Sequence, residues 1–116
     1  MLHIKLPLPP SVNALYKNAG KRGRVATPEY DAWRMHAGLI AKKHHKDAIE
    51  GEYVLYLAVP KKMRGDCSNR IKAVEDLLVN LGLTSDDRFN QGVAAWRHES
   101  VEPGFCEVIA DTMEPQ

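Results

Sequence analysis

Tyr53-Val54-Leu55-Tyr56-Leu57-Ala58-Val59, closed by Pro60, is the stretch whose reading decides the architecture. The run is almost continuously apolar, which predicts a central strand buried on both faces, and proline gives no amide hydrogen to continue a ladder. Downstream, Ile71, Val74, Leu77, Leu78 and Leu81 recur at helical spacing until Gly82 ends the pattern. Leu83 to Asn90 reads as a loop, Val93 to His98 as a strand, and Glu102-Pro103-Gly104 as the turn into a last strand over Phe105 to Asp111. Upstream, Thr27-Pro28-Glu29 has the chemistry of a helix start: a capping hydroxyl, a proline in the first turn and an acid at the positive end of the dipole. Tyr30, Trp33, Ala37, Ile40, Ala41 and His44 form that helix's core stripe, and the helix is expected to reach Lys46 or Ala48. Leu2, Ile4 and Leu6 alternate with polar residues as in a half-buried strand. Residues 8 to 26, broken by Pro9, Pro10, Gly20 and Gly23, read as a long loop too interrupted for a buried element. The order strand, loop, helix, strand, helix, strand, strand predicts an α+β fold: one domain over 1–116, a single mixed β-sheet with two helices packed on one face.

Composition narrows the class. With 116 residues, 44% hydrophobic and 27% charged, the chain has the profile of a globular domain and not of a disordered segment. No apolar run is long enough to span a bilayer and the first residues lack a secretory pattern, so no membrane association is expected and the compartment is cytoplasmic by default. Cys67 and Cys106 have no CxxC spacing and are expected as free thiols. The net charge of +1 hides a polarity along the chain. Lys5, Lys17, Lys21, Arg22 and Arg24 precede the first acid, while Glu99, Glu102, Glu107, Asp111 and Glu114 follow the last arginine. The basic arm reads either as a polyanion contact or as a solvated loop. Lys42, Lys43, His44, His45 and Lys46 sit where a helix C-terminus favours cations.

The chemistry concentrates in Arg64-Gly65-Asp66-Cys67-Ser68-Asn69-Arg70-Ile71-Lys72 and in Ser85-Asp86-Asp87. Acids and a lysine at the two ends of a helix can frame a metal ion, a water and a phosphate. Asp66 and Ser68 read equally well as helix caps, and Lys72 with Asp76 as a surface ion pair at i,i+4. Asp86 and Asp87 have no evident capping duty, since a strand follows them. A helix from Asn69 to Leu81 is roughly 18 Å long, and the steps from Gly82 to Asp87 span about 17 Å when extended. Asp87 therefore nears Asp66 within one chain only if the loop runs back along the helix.

The chain resembles the RusA family of Holliday-junction resolvases, small dimeric endonucleases of prophage type, over nearly its whole length. Leu6-Pro7-Leu8-Pro9-Pro10-Ser11-Val12-Asn13 is similar to the family's opening Pro-Pro-Ser-x-Asn, and Arg22-Gly23-Arg24 with Thr27-Pro28-Glu29-Tyr30 to its arm and first helix start. At the second helix the family carries Asp-x-Asp-Asn, a lysine three residues on, and an acidic pair beyond. Asp66, Asn69, Lys72 and Asp86-Asp87 match these positions, and Ser68 stands at the second aspartate.

The resemblance implies Mg²⁺-dependent hydrolysis of four-way DNA junctions by a homodimer, with Mn²⁺ as a substitute ion. It implies Asp66, Asp87 and Lys72 as catalytic, Asp66, Asp87 and Asp86 as metal ligands, and Ser68 as a weak neutral replacement for one of them. Lys17, Lys21, Arg22, Arg24, Asn13, Tyr16, Arg64 and Asn69 are the expected DNA contacts. An impaired module that binds junctions without cutting, and a domain whose charges are merely solvated, are the alternatives. Zinc spacing and P-loop glycines are absent, so neither a zinc site nor a nucleotide cofactor is expected. Trp33 and Trp96 are both expected in the core.

Overall fold

The strand over Tyr53–Pro60, β4, lies at the middle of the sheet in this computed structural model, which describes residues 1–113. Glu114, counted above in the acidic tail, lies outside the described residues. On one side β4 pairs antiparallel with β6 (Phe105–Thr112), placing Leu57 opposite Val108. On the other it pairs parallel with β5 (Asn90–His98), placing Leu57 opposite Ala95. β1 (Leu2–Pro7) adds antiparallel to β6, giving the order β1-β6-β4-β5. The mixed sheet and its two helices are those of an α+β domain.

One sheet face is the core. Leu2, Ile4, Leu6, Tyr53, Leu55, Leu57, Val59, Cys106, Val108 and Ala110 are buried there. Two helices supply the facing side chains: α1 (Pro28–Ala41) through Tyr30, Trp33, Ala37 and Ala41, and α2 (Ile71–Asn80) through Ala73, Val74, Leu77 and Leu78. Among the described residues nothing covers the opposite face, contrary to the expectation for β4. Burial along the strand alternates, and Tyr56 keeps 36% of its surface exposed. Both helices lie on the same side, so apolar residues on the other side meet only one another. Trp96, expected in the core, is 40% exposed on β5 and packs its ring 5.8 Å from that of Tyr56.

Residues 8 to 26 are more structured than their composition predicts. Tyr16–Asn18 (β2) and Arg24–Ala26 (β3) form an antiparallel hairpin, and Leu15 beside it is buried. Two strands of three residues are too short to show alternation, and the turn uses positive φ at Gly20 and Gly23, the reason for the glycines there. The first helix also stops earlier than expected, at Ala41, and continues as a 3-10 segment over Lys42–Asp47. That segment is cationic and has no buried residue, so no apolar face holds it in α-geometry.

Thr27 joins the arm to α1. Its hydroxyl accepts from the amide of Tyr30 at 3.2 Å and donates to the Ala14 carbonyl at 2.7 Å, while its own amide donates to the Leu15 carbonyl at 3.0 Å. The Trp33 indole donates to the Pro7 carbonyl at 2.8 Å, which fixes the helix to the end of β1. Thr27→Ala is expected to cost about 1–2 kcal/mol in urea unfolding, because both the cap and the Ala14 bond are lost. Thr27→Ser retains both hydroxyl bonds and most of that stability.

Candidate active site

Asp66 stands at the far end of β4, on a loop that makes few hydrogen bonds of its own. The Arg97 guanidinium holds it: Nη1 donates to the Met63 carbonyl and, at 3.4 Å, to that of Lys61, and Nη2 donates to the carbonyl of Gly65. Gly65 turns the chain at φ +82°, where a side chain would be strained. Asp66 then takes the N-cap position of a 3-10 turn over Cys67–Arg70, but its carboxylate caps no amide. The capping explanation for Asp66 therefore fails, and its exposed carboxylate is uncommitted. Ser68 lies exposed inside the turn and caps nothing either. Arg70 reaches across to the Pro9 carbonyl at 2.6 Å, tying this turn to the proline-rich opening. Arg97 escaped the sequence reading because nothing nearby in sequence marks its role: the carbonyls it binds are over thirty residues away.

The second acidic segment is fixed separately. Beyond α2, Gly82 bends the chain, the Leu83 amide returns to the Leu78 carbonyl at 2.9 Å, and the Ile49 amide donates to the Leu83 carbonyl at 2.8 Å. Ser85 Oγ donates to the Gly51 carbonyl at 2.8 Å. Asp86 then caps a 3-10 turn over Asp87–Phe89, its Oδ1 accepting from the Arg88 amide at 3.1 Å. The acid thus has the capping duty that the sequence did not reveal, because a three-residue turn intervenes before the strand. Asn90 donates to Glu75 at 2.7 Å, so the loop does run back beside α2. The Arg88 amide, and next the Asp87 carboxyl, hold Asp86 below the ordinary carboxylate range, so Asp86 is ionised at neutral pH.

These acids open onto a polar cavity of about 270 Å³. Tyr16 of the arm, Tyr30 and Arg34 of α1, Asp76, Val79 and Asn80 of α2, and Asp86 with Asp87 line it. Lys72 pairs with Asp76 at 3.1 Å, and this bond, with the fields of Asp76, Glu75 and Asp87, pushes the ammonium pKa up against a small burial penalty. Lys72 therefore stays charged beside the cavity. Arg34 bonds Asp31 and stacks over Tyr30 at 4.2 Å. It was not foreseen; its place four residues after Tyr30, beside the apolar stripe, was the available signal.

The expected site residues fall into two groups. Tyr16, Asp86 and Asp87 meet at the cavity with Lys72 close by, whereas Asp66 does not line it. Tyr53 pairs with Asn90 and Pro60 with His98, so the ends of the parallel pair are separated by about 20 Å of strand rise. Gly65, next to Asp66, is bonded at the Arg97 end, and Asp87 just precedes Asn90 at the other. Lys17, Lys21, Arg22 and Arg24 are exposed along the hairpin, with Arg24 5.1 Å from the Tyr16 ring. Asn13 and Arg64 are also exposed, and Asn69 is half-buried.

Carboxylates are the right donors for Mg²⁺, which keeps several waters and takes one or two protein carboxylates together with phosphate oxygens. Asp86 and Asp87, adjacent in the chain, with Asp76 on the same cavity, fit that open mode of binding. Among the described residues no group of three or more His, Cys, Asp or Glu is placed to hold a metal ion.

The sequence matches the model of the endodeoxyribonuclease RusA family over residues 7–106, which takes in the arm, both helices and both acidic segments. The chain belongs to the RusA family. Membership implies a nuclease of the Holliday-junction resolvase type. No curated protein matches the chain. As in any RusA-family member, branched DNA is the implied partner, and among the described residues no helix is long and apolar enough to cross a membrane.

Two measurements test this geometry. Arg97→Ala is expected to raise amide hydrogen exchange at residues 62–66 by about tenfold or more while exchange in α1 stays unchanged, since the loop's carbonyls lose their shared donor. Burial pushes the Cys106 thiol up to about 12, whereas Cys67 is only half-buried beside Asp66. A chromogenic disulfide reagent at pH 8 is therefore expected to label Cys67 quickly and Cys106 only on unfolding.

Proposed function

We propose that this RusA-family chain is a Mg²⁺-dependent endonuclease, with Mn²⁺ able to substitute, that resolves four-way DNA junctions as a homodimer in the cytosol. The observation that carries the reading is the cavity where the arm's Tyr16 meets Asp86 and Asp87, with Lys72 charged at its side. Asp86 and Asp87 would hold the ion, with Asp76 across the cavity. The ion supplies Lewis acidity and a nucleophilic water at neutral pH. Lys72 offsets charge that grows on the phosphate. Lys17, Lys21, Arg22 and Arg24 hold the backbone of the arm of DNA beyond, and Tyr16 offers a stacking face.

A homodimer suits this reading by symmetry. A four-way junction presents equivalent scissile positions related by a twofold axis, as a symmetric dimer does. Ser68 is not among the residues that line the cavity of Asp86 and Asp87, so the carboxylates there are complete with serine at that position, which supports hydrolysis by the native chain. A second reading, junction binding without hydrolysis, draws on the same serine and on the lack of a three-acid cluster among the described residues.

A synthetic four-way junction with Mg²⁺ or Mn²⁺ separates the two. The native protein is expected to cut it, and Asp87→Asn and Asp66→Asn each to slow cutting by about 100-fold or more at nearly unchanged junction affinity. Binding without cutting by the native chain, with cutting gained in Ser68→Asp, would establish the second reading instead.

A further inference from the structure

We infer that a second cleft, at the Asp66 end of the sheet, receives an unstacked nucleobase from the bound DNA strand; the inference rests on the junction-DNA reading above. The cleft encloses about 440 Å³ between the loop that follows β4 and the turn that joins β5 to β6. Leu8, Pro60, Met63, Val101 and Pro103 give it apolar walls. Lys61, Lys62 and Glu99 stand at its edge, all exposed. None of these residues belongs to the polar cavity of Asp86 and Asp87.

The walls are tied by main-chain hydrogen bonds and by Arg97, so the shape exists before a ligand arrives. Arg97 binds the Lys61 and Met63 carbonyls on one side. On the other, the Leu8 amide donates to the Gly104 carbonyl at 2.9 Å, and the Val101 amide donates to that of His98 at 3.3 Å. A preformed apolar slot with a few polar groups at its mouth is the usual form of a site for a small ring system.

Charge complementarity selects the occupant. An apolar peptide would gain nothing from two ammonium groups at the mouth, and an acidic one would have little to fill the walls. A nucleobase supplies a flat apolar body, and its strand supplies phosphates on either side for Lys61 and Lys62. Glu99 can accept from an amino group on a base edge. The loop that carries both lysines continues through Arg64 and Gly65 into Asp66, so a base seated here places its own strand at that carboxylate. At a branch point a base has already lost part of its stacking, so removing it from the stack costs least there. The cleft thereby favours a junction over a plain duplex.

The test places 2-aminopurine at successive nucleotides around the branch of a synthetic junction, in EDTA so that no cutting occurs, with anisotropy reporting binding in parallel. Native protein is expected to raise the emission several-fold at one or two branch-proximal positions. Val101→Phe and Pro103→Trp, which fill the cleft from its floor and its rim, are expected to abolish that rise. They should weaken junction affinity by about tenfold while sparing duplex affinity. Replacing Lys61 and Lys62 together by alanine should reduce the salt slope of junction binding by about 2. The inference is overturned if native protein binds the junction with no rise at any position, or if the rise survives in both filled variants. Absence of any junction binding by anisotropy would instead overturn the DNA reading itself, and the base subsite with it.

Discussion

The rest of the structure depends on the parallel pairing of β4 with β5. Two parallel strands cannot be joined by a tight turn, so the chain must leave one end of the pair and return to the other. Here α2 makes that return, and its apolar residues join Leu55 and Leu57 in one core. The same constraint places the chemistry. Asp66 marks the departure from β4 and Asp87 the arrival at β5, so the acids flank the crossover at opposite ends. A single topological requirement thus builds the core and distributes the candidate catalytic groups.

Electrostatics then differ at the two ends. At the arrival end three carboxylates share a small cavity, and Lys72 and Arg34 lie close enough to offset part of their charge. Hydrogen bonds from the backbone keep Asp86 ionised there. At the departure end the loop is basic apart from Asp66, and its backbone is satisfied by a cation. Phosphodiester strands can be attracted to the second end directly and to the first by way of the arm. A chain with almost no net charge can therefore engage a polyanion over a limited area.

Much of the fold was legible because long elements announce themselves. Seven of the eight residues of β4, the stripe of α2 and the Thr27 cap were all recovered from spacing and cap chemistry. What escaped were short or long-range features. The β2–β3 hairpin has too few residues per strand to alternate, and the 3-10 turn capped by Asp86 occupies three residues. The open sheet face was misjudged because an apolar run such as Tyr53 to Val59 looks the same whether one or both sides are covered. At the site, the acids and Lys72 could be named from their spacing, and the return of the loop along α2 was foreseen as a condition. The role of Arg97 could not be foreseen, since it acts on partners that only the fold brings near, whereas Arg34 acts on Asp31 and Tyr30 of its own helix and only its place at the cavity needed the fold.

The Arg97 clamp has a consequence for how this protein can change. A loop shaped by hydrogen bonds among its own side chains is altered whenever one of them is replaced. The loop from Lys61 to Gly65 is shaped instead by a distant guanidinium that grips main-chain oxygens, and every residue type carries such an oxygen. Apart from Gly65, whose positive φ disfavours any side chain, its residues are consequently free to vary while the path of the backbone persists, provided none is added or removed. The surface in front of Asp66 can thus be rewritten for a different nucleic acid without rebuilding the scaffold that carries it.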